Sequence, residues 1–321
     1  MEAGVVRTGA AADHRGFFHE TAFYASDDEF LSVVVPFLRD GVAAGEPTLA
    51  VFAEPQARLV RDALGADSGV TFIHGDAHYQ RPATAIKQYR EMLAAHVAAG
   101  AAQIRVAGDV PHPGVGVPWE WWARYEAAVN HAYDDFPMWG LCPYDTRTAS
   151  DEVLDFVRRT HPHIATPLGH TANLAFQDPF AVLAAGVTPW RDPLEDIAPA
   201  IELGGPTTAQ ARGAALALQA TAALPDDDLD GLLLAITETV TNAVLHGRPP
   251  VRLRMWVAPG RIVVTVTDHG PGPADPLVGL VPGASPGGWG LWLAHQVCAY
   301  VSLQRDPDGF TVRLLGGQLP G

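Results

Sequence analysis

The chain has 321 residues, 48% hydrophobic and 18% charged, with a formal net charge of −15. That length and composition fit two globular domains, not a disordered or fibrous chain. Little basic surface is available to displace counterions, which excludes a nucleic-acid backbone binder, and no run of about 18 apolar residues suggests a membrane span. Without a basic start and an apolar core at the N-terminus, a cytoplasmic protein is expected. Two cysteines, Cys142 and Cys298, are too few for a disulfide scaffold or a four-cysteine metal site.

Residues 1–205 hold 14 basic and 27 acidic side chains, whereas 206–321 hold 7 and 9, so the acidity belongs to the first part. That part alternates helix and strand patterns. Leu31–Gly41 has helical spacing, with Ser26 or Asp27 as a candidate cap. Thr48–Ala53 reads as a buried strand, Glu54–Leu64 as helix with Pro55 in its first turn, and Val70–His74 as strand. Pro82–Ala99 is an amphipathic helix closed by Gly100, Gln103–Ala107 a strand, Trp119–Tyr133 a helix and Met138–Cys142 a strand. The alternation predicts an α/β domain, doubly wound on a mostly parallel sheet, over residues 1–165. Seven prolines between Thr160 and Pro206 mark 166–206 as a linker with one short helix near Pro179–Ala185.

Thr208–Ala223 and Leu229–Leu245 read as helices, Val251–Val257 and Arg261–Asp268 as paired strands turned at Gly260. A glycine- and proline-rich stretch over 270–288, a helix over Trp289–Cys298 and a hairpin of Tyr300–Arg305 with Gly309–Leu315 follow. Helices on one face of a sheet predict an α+β sandwich over 207–321.

Three pieces of this second domain carry chemistry. In Ile236–Gly247 (ITETVTNAVLHG), Glu238, Asn242 and His246 share one helix face, and a carboxylate with an amide oxygen one turn away suits a hard cation such as Mg²⁺. The alternative is a solvated polar stripe. Asp268, at a strand end, could accept from an exocyclic amine, while Gly270 and Gly272 admit close approach; an ordinary turn has the same composition. Gly287, Gly288, Gly290 and Leu291 open a helix whose N-terminus would favour phosphate.

In order and spacing these pieces resemble the three nucleotide-binding boxes of the GHKL ATPase superfamily, whose Bergerat fold occurs in histidine kinases and anti-sigma-factor kinases. The resemblance implies ATP and Mg²⁺ as cofactors. It makes Asn242 the Mg²⁺ ligand, Glu238 the catalytic acid that activates the attacking group, Asp268 the adenine acceptor, and 273–287 a lid over the nucleotide. The helix over 208–224 has no histidine, so the phospho-accepting hairpin of histidine kinases is missing. The compact domain is similar instead to anti-sigma serine/threonine kinases of the RsbW and SpoIIAB type, which implies a sigma factor or its antagonist as partner and a homodimer. The lid stretch has four prolines, with Pro271 just before it, and no lysine or arginine, which weakens the case for phosphoryl transfer. A non-catalytic nucleotide-dependent switch and an orphan histidine-kinase-like protein are the alternatives.

In the first domain, FHETAFYASD from Phe18, VPFLRDGVAAGE ending at Glu46, IRVAGD ending at Asp109, and YEAAVN followed by LCPYD resemble the MEDS sensory domain. Joined to an RsbW-like ATPase, it resembles RsbA-family anti-sigma regulators. His19, Tyr24, Asp109, Cys142 and Tyr144 are candidates for a sensory pocket at strand ends. Satisfied structural polar groups are the alternative. His74, Asp76 and His78 are a candidate metal set, Trp119, Trp121, Trp122 and Tyr125 a packing cluster, and His161, His163 and His170 surface or capping residues.

Overall fold

The computed structural model describes residues 7–111, 118–185, 189–282, 289–307 and 309–320. The chain forms two compact units, Met1–Gln80 with Thr84–Gly186, and Arg81–Ala83 with Val187–Gly321.

The first unit runs β1 (Phe18–Tyr24), α1 (Asp27–Ala43), β2 (Thr48–Phe52), α2 (Gln56–Leu64), β3 (Thr71–His74), α3 (Gly75–His78) and α4 (Pro82–Ala98). It continues through β4 (Ile104–Gly108), α5 (Trp119–Ala132), β5 (Met138–Asp145), α6 (Asp151–Thr160), β6 (His163–Thr166), β7 (Gly169–Ala172) and α7 (Pro179–Ala185). Its sheet has the order β3-β2-β4-β5-β1-β6-β7. All pairs are parallel except the β6–β7 hairpin. Strands β2 and β4 are buried throughout, which is why apolar residues dominate both, with Arg105 the one charge in β4. Ser26 caps α1 by accepting from the Glu29 N–H, and Asp27, Asp28 and Glu29 complement the positive end of that helix. Asp109 follows β4 at the carboxyl end of the sheet, where the strand order reverses about β2, and its Oδ1 accepts from Ala53 N–H at 3.3 Å.

β1 went unseen in the sequence because His19, Glu20 and Thr21 interrupt its apolar pattern. All three are nonetheless buried, since β1 pairs on both sides. Glu20 is held by Trp139 Nε1 at 2.7 Å and His170 at 2.7 Å. On β4, one strand beyond β5, Arg105 is buried with Glu46 at 2.6 Å and lies 4.4 Å over Trp139.

The proline-rich stretch contains the short helix expected near Pro179–Ala185, α7, whose Phe180 meets His131 of α5 at 5.4 Å, and also the unexpected strand β7. The prolines punctuate without breaking structure, because Pro179 opens a helix and Pro193 a single 3₁₀ turn, positions where the missing N–H costs nothing.

The second unit contains β8 (Ile201–Gly204), α8 (Thr208–Ala222), α9 (Asp226–Leu245), β9 (Arg252–Ala258), β10 (Arg261–Asp268), α10 (Gly290–Val297), β11 (Tyr300–Asp306) and β12 (Gly309–Gly317). Its antiparallel sheet has the order β11-β12-β10-β9-β8. Leu232, Ile236 and Val240 of α9 meet Leu253, Val264 and Leu314 in one apolar core. On the opposite sheet face Arg313 is buried against Glu195 at 2.6 Å, and Trp256 Nε1 donates to the Ile197 carbonyl. These are the α/β and α+β architectures that the alternation implied.

Candidate functional site

In the second unit, Asn242 and His246 of α9, Asp268 at the end of β10, Gly272 beyond it, and Gly290 and Leu291 of α10 line one cavity of about 360 Å³. The volume lies within the range of small-molecule sites. Asp268 is buried, and its Oδ1 accepts from the backbone N–H of Gly270 at 2.6 Å and of Arg248 at 3.1 Å. Both donors fall on one oxygen, which leaves Oδ2 available to a ligand donor. Gly270 therefore serves the carboxylate from behind and does not line the cavity. A Cβ at Gly247 would fall inside the Asp268 carboxylate, and one at Gly272, where φ is +68°, would lie 2.7 Å from Phe310 Cε2. Only glycine fits either position.

Glu238 stands beside the cavity. A Cβ at Gly290 would sit 2.6 Å from Glu238 Oε2 and 3.3 Å from the Asn242 amide nitrogen, so this glycine lets α10 approach the polar face of α9. Thr239 Oγ1 is buried, lines the cavity and has no hydrogen-bond partner among the described residues. An orphaned hydroxyl, a half-free carboxylate and glycine walls fit a flat ligand bearing both donors and acceptors. The oxygens of Glu238 and Asn242 fit a hard cation. Gly287 and Gly288, with 283–288 of the expected lid, lie outside the described residues. In the described part Leu277 and Leu280 are buried, Val278 lines the cavity, and Gly279 lies against the His295 ring. Arg305 of β11 donates to the Pro273 carbonyl, bringing to the start of this segment a cation that the segment itself lacks.

In the first unit, His19 of β1, Cys142 and Tyr144 of β5, Glu126 of α5 and His161 after α6 come together. Tyr144 donates to Glu126 Oε1 at 2.6 Å, His161 Nε2 lies 3.4 Å from Glu126 Oε2, and Cys142 Sγ lies 3.6 Å from His19 Nε2.

Residues 18–162 match the family model of the methanogen/methylotroph DcmR sensory domain, MEDS, and residues 206–315 match the histidine kinase-like ATPase domain. The chain joins a MEDS domain to a histidine kinase-like ATPase domain. The histidine kinase domain of a blue-light activated kinase from Erythrobacter litoralis is similar at 22% identity and TM-score 0.26, over 35% of this chain and 61% of that one. The RsbU and RsbW domains of a Mycobacterium tuberculosis protein are similar at 22% identity and TM-score 0.26, over 37% of this chain and 33% of that one. The chain thus spans less than two thirds of either structure. No curated protein matches the sequence. Among the described residues, no helix is long and apolar enough to cross a membrane.

Of the five candidates for a sensory pocket, the MEDS unit gathers His19, Cys142 and Tyr144. Tyr24 instead packs on Phe30 at 5.0 Å, and Asp109 binds the Ala53 backbone. Burial pushes His19 down to about 4 and His161 well below its usual range, while it raises Glu126 to about 7 and drives the Cys142 thiol up. Burial likewise lifts Asp109 to about 7. His74 and Asp76 are exposed, and His78 is buried against the Tyr89 ring at 4.2 Å, so these three do not converge. Trp121, Trp122 and Tyr125 are buried core side chains of α5. Of the surface or capping role expected of His161, the capping one is present and the surface one is corrected: His161 is the C-cap of α6, its Nδ1 donates to the Val157 carbonyl at 2.9 Å, and its ring is fully buried. His170 is half-buried on Glu20, which raises its pKa. In the ATPase unit, sequence reasoning missed Thr239, Gly247 and Phe310. The first two lie inside the ITETVTNAVLHG stretch, but Phe310 carries no motif.

Proposed function

We propose that the chain is a cytoplasmic signalling regulator in which the MEDS unit controls an ATP- and Mg²⁺-binding kinase domain of the anti-sigma serine/threonine type. The observation that carries this reading is the single cavity lined by Asn242, Asp268 and Gly290, three residues from separate stretches of sequence. Asp268 accepts from the adenine amine through Oδ2, and Thr239 supplies a hydroxyl on the same wall. Asn242 offers its amide oxygen to Mg²⁺. Gly290, Leu291 and the N-terminal turn of α10 face the phosphates, and His246 stands at the cavity wall; a phosphate role for Gly287 and Gly288 rests on the sequence resemblance alone. Bound ATP supplies the transferable phosphoryl group, and Mg²⁺ neutralises its charge. Glu238 takes the proton of an incoming hydroxyl. No histidine lies on α8, so the acceptor is a serine or threonine of a partner, in keeping with a sigma-factor antagonist. The chain acts as a homodimer, which light scattering tests.

A second reading is a nucleotide-dependent binding switch without transfer. It is favoured by the cavity wall, which holds no lysine or arginine among its described residues. ATP turnover with and without a candidate antagonist separates the two. Under the kinase reading, Glu238→Ala leaves nucleotide binding within about threefold and lowers transfer by roughly 10²–10⁴-fold. If transfer is absent from the unaltered protein, the switch reading holds. Asn242→Ala weakens Mg²⁺-dependent ATP binding by calorimetry; undiminished binding removes Asn242 from the site.

A further inference from the structure

The polar cluster of the MEDS unit is independent of the nucleotide site and of what the ATPase unit does. Its four groups come from four elements, β1, α5, β5 and the end of α6, and their donor atoms all lie within 4.8 Å of one another. Among the described residues this is the one set of three or more metal-ligating side chains that converges.

The surrounding hydrogen bonds fix which atoms face inward. Asn130 Nδ2 donates to the carbonyls of Glu126 at 3.1 Å and Thr160 at 2.9 Å, so its Oδ1 is the acceptor facing His19 Nδ1 at 3.0 Å. His19 therefore carries its proton on Nδ1 and turns the Nε2 lone pair to the cluster. His161 Nδ1 donates to the Val157 carbonyl at 2.9 Å, which leaves its Nε2 lone pair inward as well. Tyr144 occupies Glu126 Oε1, so Oε2 also points in. Glu126 Oε2 and His161 Nε2 are both buried without a hydrogen-bond partner. Two imidazole lone pairs and a carboxylate oxygen thus face each other, with only the Cys142 thiol proton among them. Such convergence of acceptors is unfavourable unless a cation fills the centre.

We propose that His19, Glu126, Cys142 and His161 form a tetrahedral site for a divalent first-row transition ion, Zn²⁺ or Fe²⁺. Bonds of about 2.0–2.3 Å to such an ion place neighbouring ligand atoms about 3.3–3.6 Å apart. The His161–Glu126 separation is 3.4 Å, the His19–Cys142 separation 3.6 Å and the His19–Glu126 separation 4.0 Å, so a bound ion draws His19 and Glu126 slightly closer. Two nitrogens, one thiolate and one carboxylate suit a borderline ion better than Ca²⁺ or Mg²⁺, and the two anionic ligands cancel its charge. Asn130, Val157 and Tyr144 act as the outer hydrogen-bonding shell that orients the ligands. The adjoining cavity, bordered by His19, Glu126 and Cys142, holds about 20 Å³, room for one water-sized ligand beside the ion.

The full-length chain, purified without chelator, is examined by elemental analysis and then, as metal-free protein, titrated with Co²⁺. One equivalent binds, giving a thiolate charge-transfer band in the near ultraviolet and intense visible bands of a tetrahedral ion. Cys142→Ser removes the charge-transfer band, whereas Cys298→Ser leaves it. Glu126→Gln, which keeps the Tyr144 contact, weakens binding at least tenfold, and Asn130→Ala weakens it by roughly 10–100-fold. X-ray absorption on the unaltered metal-loaded protein needs no variant. One sulfur at about 2.3 Å with nitrogen and oxygen at about 2.0–2.2 Å supports the site. Folded protein that binds no stoichiometric metal, or a shell without sulfur, overturns it and leaves a proton shared between Glu126 and His161.

Discussion

In the ATPase unit the polar groups of Asp268 and Thr239 face a hollow of about 360 Å³, while in the MEDS unit Glu126, His19, Cys142 and His161 face one another with about 20 Å³ beside them. Glycines make the first site, because Gly247 and Gly272 withhold the Cβ atoms that would fill it. Bulky aromatics make the second, because Tyr79, Tyr89, Tyr125 and Tyr133 close the space next to it. A hollow admits a molecule with its own donors and acceptors; a closed ring of acceptors admits an ion or a proton. The chemistry each unit can perform follows from where side-chain volume is spent.

The comparison can be broken most severely at the closed side. Arg105→Ala takes the cation from the buried Glu46 carboxylate, which keeps only the neutral donors Thr8 and Gln103, and removes the layer over Trp139, so stability falls by roughly 3–5 kcal/mol, read from the denaturant midpoint. A loss below about 1 kcal/mol would mean that this interior admits water.

Asp109 gives a change of opposite sign. The folded unit holds its proton up to about pH 7, whereas an unfolded chain releases it near the ordinary carboxylate value of about 3.9. Ionisation in place therefore costs stability progressively as pH rises through that window. Asp109→Asn keeps an oxygen for the Ala53 N–H and removes that cost. The variant is expected to be roughly 2–4 kcal/mol more stable than the parent at pH 8 and equal to it near pH 4, by thermal or urea unfolding. A gain independent of pH would contradict the assignment.

At the open side the effects are smaller and appear in binding. Gly247→Ala pushes a methyl group into the Asp268 carboxylate, costing about 1–3 kcal/mol of overpacking and at least tenfold in nucleotide affinity by calorimetry. Thr239→Val removes a hydroxyl that has no partner, so stability stays level or rises by up to about 1 kcal/mol, while nucleotide affinity falls about tenfold. Equal affinity in the two proteins would take Thr239 out of the site.

The open site was legible in the sequence and the closed one only in fragments, for a physical reason. Asn242, Asp268 and Gly290 each sit in a short stretch whose local pattern repeats its role, a polar helix face, a strand-end carboxylate or a glycine-led helix. The ligands of the MEDS unit have no such neighbours. His161 reads as a residue in proline-broken text, and Glu126 as one acid in an ordinary helix; only the parallel pairing of β1 with β5 and the packing of α5 and α6 bring them to Cys142. β1 itself was hidden by three buried polar residues in a row, a pattern that burial on both faces permits only when Trp139, His170, Asn130 and the Cys142 carbonyl supply partners from distant positions. Strand β2, apolar but for Thr48, and strand β4, apolar on both sides of Arg105, announced themselves. Helix α8, helix α7 behind its opening Pro179 and the last hairpin were legible for the same local reasons, whereas β7 and β8 in the proline-rich stretch were not, because four residues each are too few to show a pattern.

Phe310 forms the wall behind Gly272, and atoms of its ring are the nearest to the space a methyl group at position 272 would need. Trimming the ring to a smaller side chain would open an extra recess next to the glycine turn, one that an enlarged purine analogue could enter and the unmodified nucleotide would leave empty. On the proposed nucleotide reading, the trimmed variant is an orthogonal lock, addressed by an analogue that unaltered ATP sites do not admit.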